Sequence, residues 1–230
     1  MNATAVQPTH REAVRALADL ADDRLVELVR AKNRPAFEAL MRRHNRRLFR
    51  VARSVLRDSD AAQDAVQETY LRAFTKLDTY KPCGKFGAWL TRVAFNEALM
   101  MRRRLRGDTV SLDEVSPSSL AAEEKASEAP TADQYLEAAH ARALLEHAVD
   151  ELPENFRQVF ILRLVEGLDV RETAACLEIN ETTVRTRLFR AQRQLRRGLS
   201  RVMHGESTEL FDFGAERCDR VVERVLKRAY

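Results

Sequence analysis

A segment near the C-terminal end, residues 170–197, constrains the fold more than any other part of this sequence. It reads VRETAACLEINETTVRTRLFRAQRQLRR, which predicts a short helix, a turn and a longer helix rich in arginine. This order is typical of a helix-turn-helix, in which the second helix enters the major groove of DNA. The apolar side chains of that helix recur at helical spacing and should face a core: Val184, Leu188, Ala191 and Leu195.

The opposite face of the second helix should point to solvent. Arginine can donate two hydrogen bonds to a guanine edge, and phosphates attract the whole basic array. An ordinary solvated face, with acids and bases alternating, is the alternative. Glu181 is the only acid between residues 181 and 197, which favours DNA binding. The side chains predicted to point outward are Arg185, Thr186, Phe189, Arg190 and Arg193.

The charges of the chain are unevenly distributed. The net charge is only +4 over 230 residues, but basic residues concentrate in 42–57, 102–106 and 185–201. Acidic residues concentrate between positions 108 and 133. This segregation predicts a polyanionic partner more strongly than the net charge does.

Several classes of protein are disfavoured by what the sequence lacks. The three cysteines, Cys83, Cys176 and Cys218, are too far apart for a disulfide framework or a zinc site, which predicts a reducing cytoplasm and no metal. No apolar run is long enough to cross a bilayer, so we expect no membrane insertion. Neither a catalytic Ser/His/Asp arrangement nor a glycine-rich phosphate loop is evident, so we expect no cofactor and no catalytic residue.

The abundance of Ala, Leu, Arg and Glu, with few glycines and prolines, predicts an all-α chain. The acidic, Ser- and Pro-rich stretch in the middle lacks a sustained apolar period and is typical of a flexible linker. We therefore predict two helical domains joined by that linker. The predicted parts are an N-terminal extension (1–21), a first domain (22–106), the linker (107–132), a helix-turn-helix domain (133–203) and a C-terminal extension with a helix (204–230).

Within the first domain, Asp58 to Asp60 should form a turn and helix N-cap, and the helix that follows should run to about Leu77. A loop containing Pro and Gly should occupy 79–85, before a helix that begins at Phe86. Trp89 is interpreted as a core residue. One face of the helix that follows Asp58 should be polar and exposed, through Gln63, Asp64, Gln67, Glu68 and Leu71.

The first predicted domain contains the sequences QDAVQETYLRAF (63–74) and FGAWLTRVAFNEA (86–98). Together with the helix-turn-helix domain that follows them, these sequences resemble the extracytoplasmic-function sigma factors over about residues 22–203. The two sequences are similar to sigma region two. The sequence LPENFRQVFILRLVEGL (152–168), together with the helix-turn-helix, is similar to sigma region four. The resemblance implies that the two predicted domains are these two regions.

The resemblance also implies roles for particular residues. Asn96 and Tyr80 would capture an extruded base of the minus-10 element, by hydrogen bonding and by stacking. The residues of the predicted helix-turn-helix face would read the minus-35 element. The residues implied to dock on the coiled coil of the largest polymerase subunit are Asp64, Gln67, Glu68 and Leu71, and those implied to bind the minus-10 strand beside Asn96 and Tyr80 are Lys81, Arg92, Arg102 and Arg103.

The turn of the helix-turn-helix departs from the family pattern. It reads Leu177-Glu178-Ile179-Asn180, where the family usually has glycine at the second position. Glu178 should therefore adopt a strained backbone conformation or change the turn slightly.

Taken together, the resemblance implies a transcription initiation factor that binds core RNA polymerase and directs it to specific promoters. Promoter DNA and an anti-sigma factor are the other implied partners, and the cytoplasm is the expected location. A stand-alone helix-turn-helix regulator on duplex DNA is the alternative, although it would not need the Asn96 pocket or the Gln67 face. A nucleic-acid-processing enzyme would need convergent carboxylates, which this sequence does not group near its basic patches.

Overall fold

The computed structural model describes residues 9–107, 143–198, 220–221 and 223–224. The regular structure within these ranges is entirely helical, which confirms the predicted all-α class. Residues 108–132 of the predicted linker, residues 1–8 and most of the predicted C-terminal extension lie outside the described residues. None of the described helices is long and apolar enough to cross a membrane.

The N-terminal half is built around one long helix. This helix, α3 (Arg34–Leu56), packs against the four other α-helices of its half. A short helix within the predicted N-terminal extension, α1, contributes Val14 to the core. The helices are α1 (His10–Leu17), α2 (Asp22–Arg30), α3 (Arg34–Leu56), α4 (Ser59–Thr75), a 3-10 turn (Leu77–Thr79) and α5 (Phe86–Gly107).

Helix α4 begins with a side-chain cap at the turn that the sequence predicts. Asp58 caps α4, because its carboxylate accepts a hydrogen bond of 2.7 Å from the backbone N–H of Ala61. The preceding residue, Arg57, has a left-handed conformation (φ 61°) and ends α3. The helix that was predicted to run to Leu77 ends at Thr75, and a 3-10 turn continues it.

The C-terminal half contains the predicted helix-turn-helix. Pro153 precedes helix α7 (Glu154–Phe160), and Gly167 closes the helical segment that follows with a positive φ of 70°. Between them, the last residues of the helical segment widen into a π-helical turn, Ile161–Val165. The helices are α6 (143–150 in the described residues), α7 (Glu154–Phe160), α8 (Val170–Leu177) and α9 (Glu181–Gly198).

Most buried apolar side chains of the described residues belong to one cluster that spans both halves, and Leu48 of α3 and Phe160 of α7 both take part in it. A smaller cluster of Val159, Ala174 and Val184 joins α7, α8 and α9 and fixes the angle within the helix-turn-helix. The two halves therefore pack directly against each other, a contact that the sequence analysis did not predict.

Candidate nucleic-acid and protein interfaces

The first helix of the helix-turn-helix begins with a reciprocal cap. The Asp169 carboxylate accepts from the backbone N–H of Glu172 at 2.7 Å, and the Glu172 carboxylate accepts from the backbone N–H of Asp169 at 3.0 Å. This capping box fixes where α8 starts. It also places two carboxylates at the N-terminus of α8, where the helix dipole stabilises negative charge.

The turn between α8 and α9 has the conformation that the sequence departure predicted. Glu178 lies in the left-handed region, with φ 55° and ψ 42°, at the position where the family usually has glycine. A residue with a Cβ atom is strained there by about 1–3 kcal/mol. This backbone strain is part of the folded state.

We expect Glu178→Gly to raise the free energy of unfolding by about 1 kcal/mol, because glycine adopts this conformation without steric strain. Glu178→Ala is the matched control, since it removes the same carboxylate but keeps a Cβ atom in the left-handed region. Chemical denaturation of the three proteins measures the difference. Equal stability of the glycine and alanine variants would show that the turn is not strained.

The second helix, α9, presents the two predicted faces. Val184, Ala191 and Leu195 are buried, and Leu188 is half-buried against the smaller cluster. Phe189 is 64% exposed, so its ring lies on the outer face of the helix. All five side chains that were predicted to point outward are exposed: Arg185, Thr186, Phe189, Arg190 and Arg193.

A shallow concavity continues this exposed face toward the C-terminal end of α9. Phe189 and Arg193 line it together with Gln192, Arg196 and Arg197. Arg185, at the other end of the face, forms an exposed pair with Glu181 at 3.0 Å. The concavity extends the predicted reading face by one helical turn, and Gln192 is a member that the sequence analysis missed.

Fewer side chains on the polar face of α4 are exposed than the sequence predicted. Asp64 is exposed and Glu68 and Leu71 are half-buried, but Gln63 and Gln67 are only 8% and 7% exposed. The expectation that Gln63 and Gln67 are exposed is therefore wrong in this structure. Small side chains such as Ala62, Ala65 and Ala73 let neighbouring helices approach α4 closely on more than one side. These alanines were the sequence feature that could have predicted the burial of Gln63 and Gln67.

The C-terminal extension reaches the same face. Val221 is fully buried in the main apolar cluster, and an Arg224 Nη1 atom lies 3.9 Å from an Asp64 carboxylate oxygen. The described residues of the C-terminal extension therefore lie on the N-terminal half, beside the α4 face.

Helix α5 presents an exposed stripe of polar side chains. Arg92 and Asn96 are separated by four residues and Arg103 follows seven residues later, so the three share one face. Lys81 is exposed in the loop that precedes α5. The structure therefore brings four of the six predicted minus-10 residues to the surface. Arg102 is half-buried and forms an ion pair with Glu154 of the C-terminal half.

Tyr80, the remaining predicted minus-10 residue, is buried rather than presented to solvent. Its ring lies 5.2 Å from that of Phe86 and 5.5 Å from that of Trp89, and its hydroxyl donates to the Asp23 carboxylate at 2.6 Å. Burial, and then the hydrogen bond to Asp23, raise the pKa of Tyr80 to about 12, so the phenol stays protonated. The same carboxylate accepts from the backbone N–H of Gly84 at 2.8 Å.

Asp23 therefore anchors the 80–85 loop through two hydrogen bonds, a role that the sequence analysis missed. Its position in the first turn of α2 was the only local signal. Base stacking on Tyr80 stays a prediction, and it would require the ring to leave this aromatic packing.

The basic stretch 42–57 was expected to attract a polyanion, but its arginines mainly face the other half of the chain. Arg47 and Arg50 pair with Glu166, and Arg53 pairs with Asp150. These acids lie 97 to 119 residues away in sequence. In this structure these three side chains are paired within the protein, and their binding to a polyanion stays a prediction.

The described residues bring no three potential metal-ligating side chains together. Cys83 is exposed and Cys176 is buried, and burial raises the pKa of the Cys176 thiol to about 12. Cys176 is therefore a packing residue of α8 rather than a reactive thiolate.

Two family models match the chain, one in each half. Residues 40–107 match Sigma-70 region 2, and residues 142–195 match Sigma-70 region 4. The chain belongs to the sigma-70 family, in its extracytoplasmic-function group. The first match contains α4, α5 and the loop between them, and the second contains the helix-turn-helix.

Relatives and solved structures agree with this assignment. The ECF RNA polymerase sigma factor SigE of Mycolicibacterium smegmatis is 35% identical over 163 residues, which cover 70% of this chain and 61% of that protein. The ECF RNA polymerase sigma-E factor of Escherichia coli is 27% identical over 175 residues, covering 75% of this chain and 91% of that protein. This chain therefore spans less than two thirds of the length of the mycobacterial relative.

Two solved structures are similar in fold. CnrH in complex with the cytosolic domain of CnrY aligns with a TM-score of 0.53 and 25% identity, over 79% of this chain and 98% of that chain. The sigma factor RpoE, in complex with the anti-sigma factor NepR from Bartonella quintana, aligns with a TM-score of 0.50 and 26% identity, over 66% of this chain and 89% of that chain.

Proposed function

We propose that this sigma factor binds core RNA polymerase in the cytoplasm and directs it to promoters that have a minus-35 and a minus-10 element. One observation carries the proposal: a region 2 and a region 4 occur in order on one chain, and each presents an exposed polar face. The polymerase would supply the catalytic groups. A stand-alone helix-turn-helix regulator would have no use for the whole of region 2.

Helix α9 is proposed to read the minus-35 element as duplex DNA. Its exposed side chains include bidentate donors for guanine, in Arg185 and Arg190, and an exposed apolar ring, in Phe189, for a thymine methyl group. The buried opposite face fixes the helix on α7 and α8, so that these side chains are presented on a rigid element.

The α5 stripe is proposed to bind the minus-10 element as a melted single strand. The Asn96 amide can donate to and accept from the exposed edge of a base, and Arg92 and Arg103 on the same face can bind the flanking phosphates. Tyr80 is proposed to stack on the base after it leaves its place beside Phe86. Lys81 and Arg102 would add phosphate contacts at either end of the stripe.

The α4 face is proposed to dock on the coiled coil of the largest polymerase subunit, through Asp64, Gln67, Glu68 and Leu71. Acidic groups beside a half-exposed leucine suit a basic helical partner. Because Gln67 is buried in this structure, docking is tested more directly at Asp64, which is exposed, and at Leu71, which is half-buried.

An anti-sigma factor is proposed as a further partner, since both similar structures are complexes and RpoE is bound there by the anti-sigma factor NepR.

We expect Asp64→Arg to lower the affinity for core polymerase by roughly tenfold or more, since a like charge at a docking face costs at least 1.4 kcal/mol. Asp64 is exposed, so the free energy of unfolding should change by less than about 0.5 kcal/mol. The measurement is binding of the purified chain to core polymerase, followed by promoter-specific run-off transcription.

Glu27→Arg is the matched control, because Glu27 is an acid of similar exposure on α2, away from the proposed docking face. This variant should bind core polymerase as the unaltered chain does. A folded Asp64→Arg variant that binds normally would remove α4 from the docking surface. If the unaltered chain neither binds core polymerase nor supports transcription, the proposed function itself is wrong.

A further inference from the structure

Helix α2 carries two polar side chains that hold the segment between α4 and α5. Asp23 lies in the first turn of α2, and Arg30 is the last residue of that helix. The seven residues that separate them make nearly two helical turns, so both side chains lie on one face of α2, about 10 Å apart along its axis. Both form hydrogen bonds with residues 77–84.

Arg30 holds the first part of this segment by its backbone. Its Nη2 atom donates to the backbone oxygen of Leu77 at 2.9 Å and to that of Tyr80 at 2.6 Å. Its Nε atom also lies 3.8 Å from a carboxylate oxygen of Asp78, but that carboxylate is almost fully exposed and adds little. Because one planar guanidinium group bonds both backbone oxygens, it fixes the chain where the 3-10 turn ends.

Asp23 holds the second part of the segment. One carboxylate oxygen accepts from the Tyr80 hydroxyl at 2.6 Å, and the other accepts from the backbone N–H of Gly84 at 2.8 Å. Gly84 has a φ of 72°, in the region that favours glycine. Tyr80 is therefore bonded to α2 through its backbone and through its side chain, and the chain is held a second time at Gly84.

Three residues, Lys81, Pro82 and Cys83, lie between the two points that α2 holds. All three are exposed, and we call them the loop tip. Proline has a fixed φ angle, and a bridge of three residues with both ends bonded has few conformations left. The side chains of α2 therefore set the conformation of an exposed loop tip that they do not themselves reach beyond.

The loop tip has a fixed place beside α5. That helix begins at Phe86, two residues after the point where Asp23 binds the loop, and the rings of Phe86 and Trp89 pack against the ring of Tyr80 at 5.2 Å and 5.5 Å. Asn96 lies ten residues after Phe86, about 15 Å along the same helix. A single strand that follows the exposed stripe of α5 from Asn96 to the start of the helix would therefore meet the loop tip.

We infer that α2 determines base selection at the minus-10 element, because Asp23 and Arg30 are positioning residues that hold the loop tip in the conformation that accepts the preferred base. The inference rests on the proposed function. It gives a role in promoter choice to a helix that precedes residues 40–107, the part of the chain that matches Sigma-70 region 2.

This role is compatible with stacking of a base on Tyr80. Movement of the ring away from α5 would break the hydrogen bond between its hydroxyl and Asp23. The other three hydrogen bonds involve backbone atoms of Leu77, Tyr80 and Gly84, so they can remain while the ring moves. Helix α2 would then keep the loop tip in place during capture of the base.

The first experiment measures base discrimination by holoenzyme assembled from the full chain and core polymerase. Promoters that carry each of the four bases at each minus-10 position are compared, and the ratio of the highest to the lowest affinity is taken at each position. We expect Asp23→Ala and Arg30→Met each to reduce this ratio at least threefold at one position or at two adjacent positions. Affinity for core polymerase and discrimination at the minus-35 element should each change by less than about twofold.

This ratio separates positioning from a loss of stability. A variant that is only less stable would give less active holoenzyme for all four bases alike, and the ratio would not change. Unchanged discrimination by a folded Asp23→Ala or Arg30→Met variant would overturn the inference. Because either variant alone can do so, the test does not depend on both of them folding.

Three further variants act as controls. Asp23→Asn should keep most of the discrimination, because its amide can accept from the Gly84 N–H and donate to the Tyr80 hydroxyl. If Asp23→Asn instead behaves as Asp23→Ala does, the charge of Asp23 acts and not its hydrogen bonds, and the positioning role is wrong. Arg24→Met and Glu27→Ala alter an exposed ion pair on the same helix and should leave every ratio unchanged.

The second experiment observes the loop in the free protein. We expect the amide hydrogen of Gly84 to exchange with solvent at least tenfold faster in Asp23→Ala than in the unaltered chain, and at a nearly unaltered rate in Asp23→Asn. An unchanged exchange rate in Asp23→Ala would show that Asp23 does not hold the loop. Faster exchange with full base discrimination would overturn the inference alone. If the unaltered holoenzyme prefers no base at any minus-10 position, the proposed function itself fails.

Discussion

We expect Arg157→Leu to lower the free energy of unfolding by about 3 kcal/mol or more, the largest effect of any single substitution considered for this chain. Arg157 is 1% exposed and donates to the backbone oxygens of Ser54, Asp150 and Leu152 at 2.8, 3.1 and 3.0 Å. Leucine leaves these buried carbonyl groups with fewer donors. Burial, and then the charge of Arg57, lower the pKa of Arg157 to about 10, so it is still charged at neutral pH.

Chemical denaturation followed by circular dichroism measures this effect. Arg171→Leu is the control, because it is the same substitution at an exposed position of α8 and should change the free energy of unfolding by less than about 0.5 kcal/mol. Arg157→Lys keeps the charge but has no planar fork with which to reach the separate oxygens, so it should recover little of the loss. If Arg157→Leu proves as stable as Arg171→Leu, the hydrogen bonds of Arg157 make no net contribution to the free energy of unfolding.

The second large effect concerns reading of the minus-35 element. We expect Arg185→Ala and Arg190→Ala each to weaken promoter binding by roughly 1–3 kcal/mol, and each to relax the base preference at its own position. Arg185 must first leave Glu181, but that pair is exposed and costs little to break. The assay is holoenzyme binding to a promoter selected from a random library, followed by every single-base change in its upstream element.

Arg171→Ala again supplies the comparison. Arg171 is exposed on α8, the helix that should cross the DNA backbone, so its loss should weaken binding about equally for all sequences and reduce the salt dependence by one phosphate contact. Uniform weakening by all three alanine variants would mean that α9 binds phosphates without reading bases.

Local pattern predicted the parts of the structure that depend on neighbours in sequence. The buried Val184 and Leu195 follow from helical spacing, and the cap at Asp58 follows from the chemistry of one turn. The left-handed Glu178 follows from the resemblance, because the family usually has glycine at that position. The exposure of the α9 reading face follows from the same spacing, because a helix that buries one side presents the other.

The features that sequence analysis did not predict depend on distant residues. The burial of Tyr80 depends on Asp23, which lies 57 residues earlier, and the pairing of Arg50 depends on Glu166, which lies 116 residues later. Periodicity shows which side of a helix is polar, but it does not show whether water, DNA or another part of the chain faces that side. The arginines of α3 look the same in sequence whether they bind a phosphate or a carboxylate.

The single apolar cluster that spans both halves has a consequence for the fate of the protein in a cell. Residues of the C-terminal half such as Leu145, Val149 and Phe160 share this cluster with the N-terminal helices, so separating the halves without a partner would expose apolar surface on both. A chain whose halves separated without a partner would be prone to self-association and to recognition by chaperones and proteases. The lifetime of the factor should therefore depend on how long its two halves stay packed together.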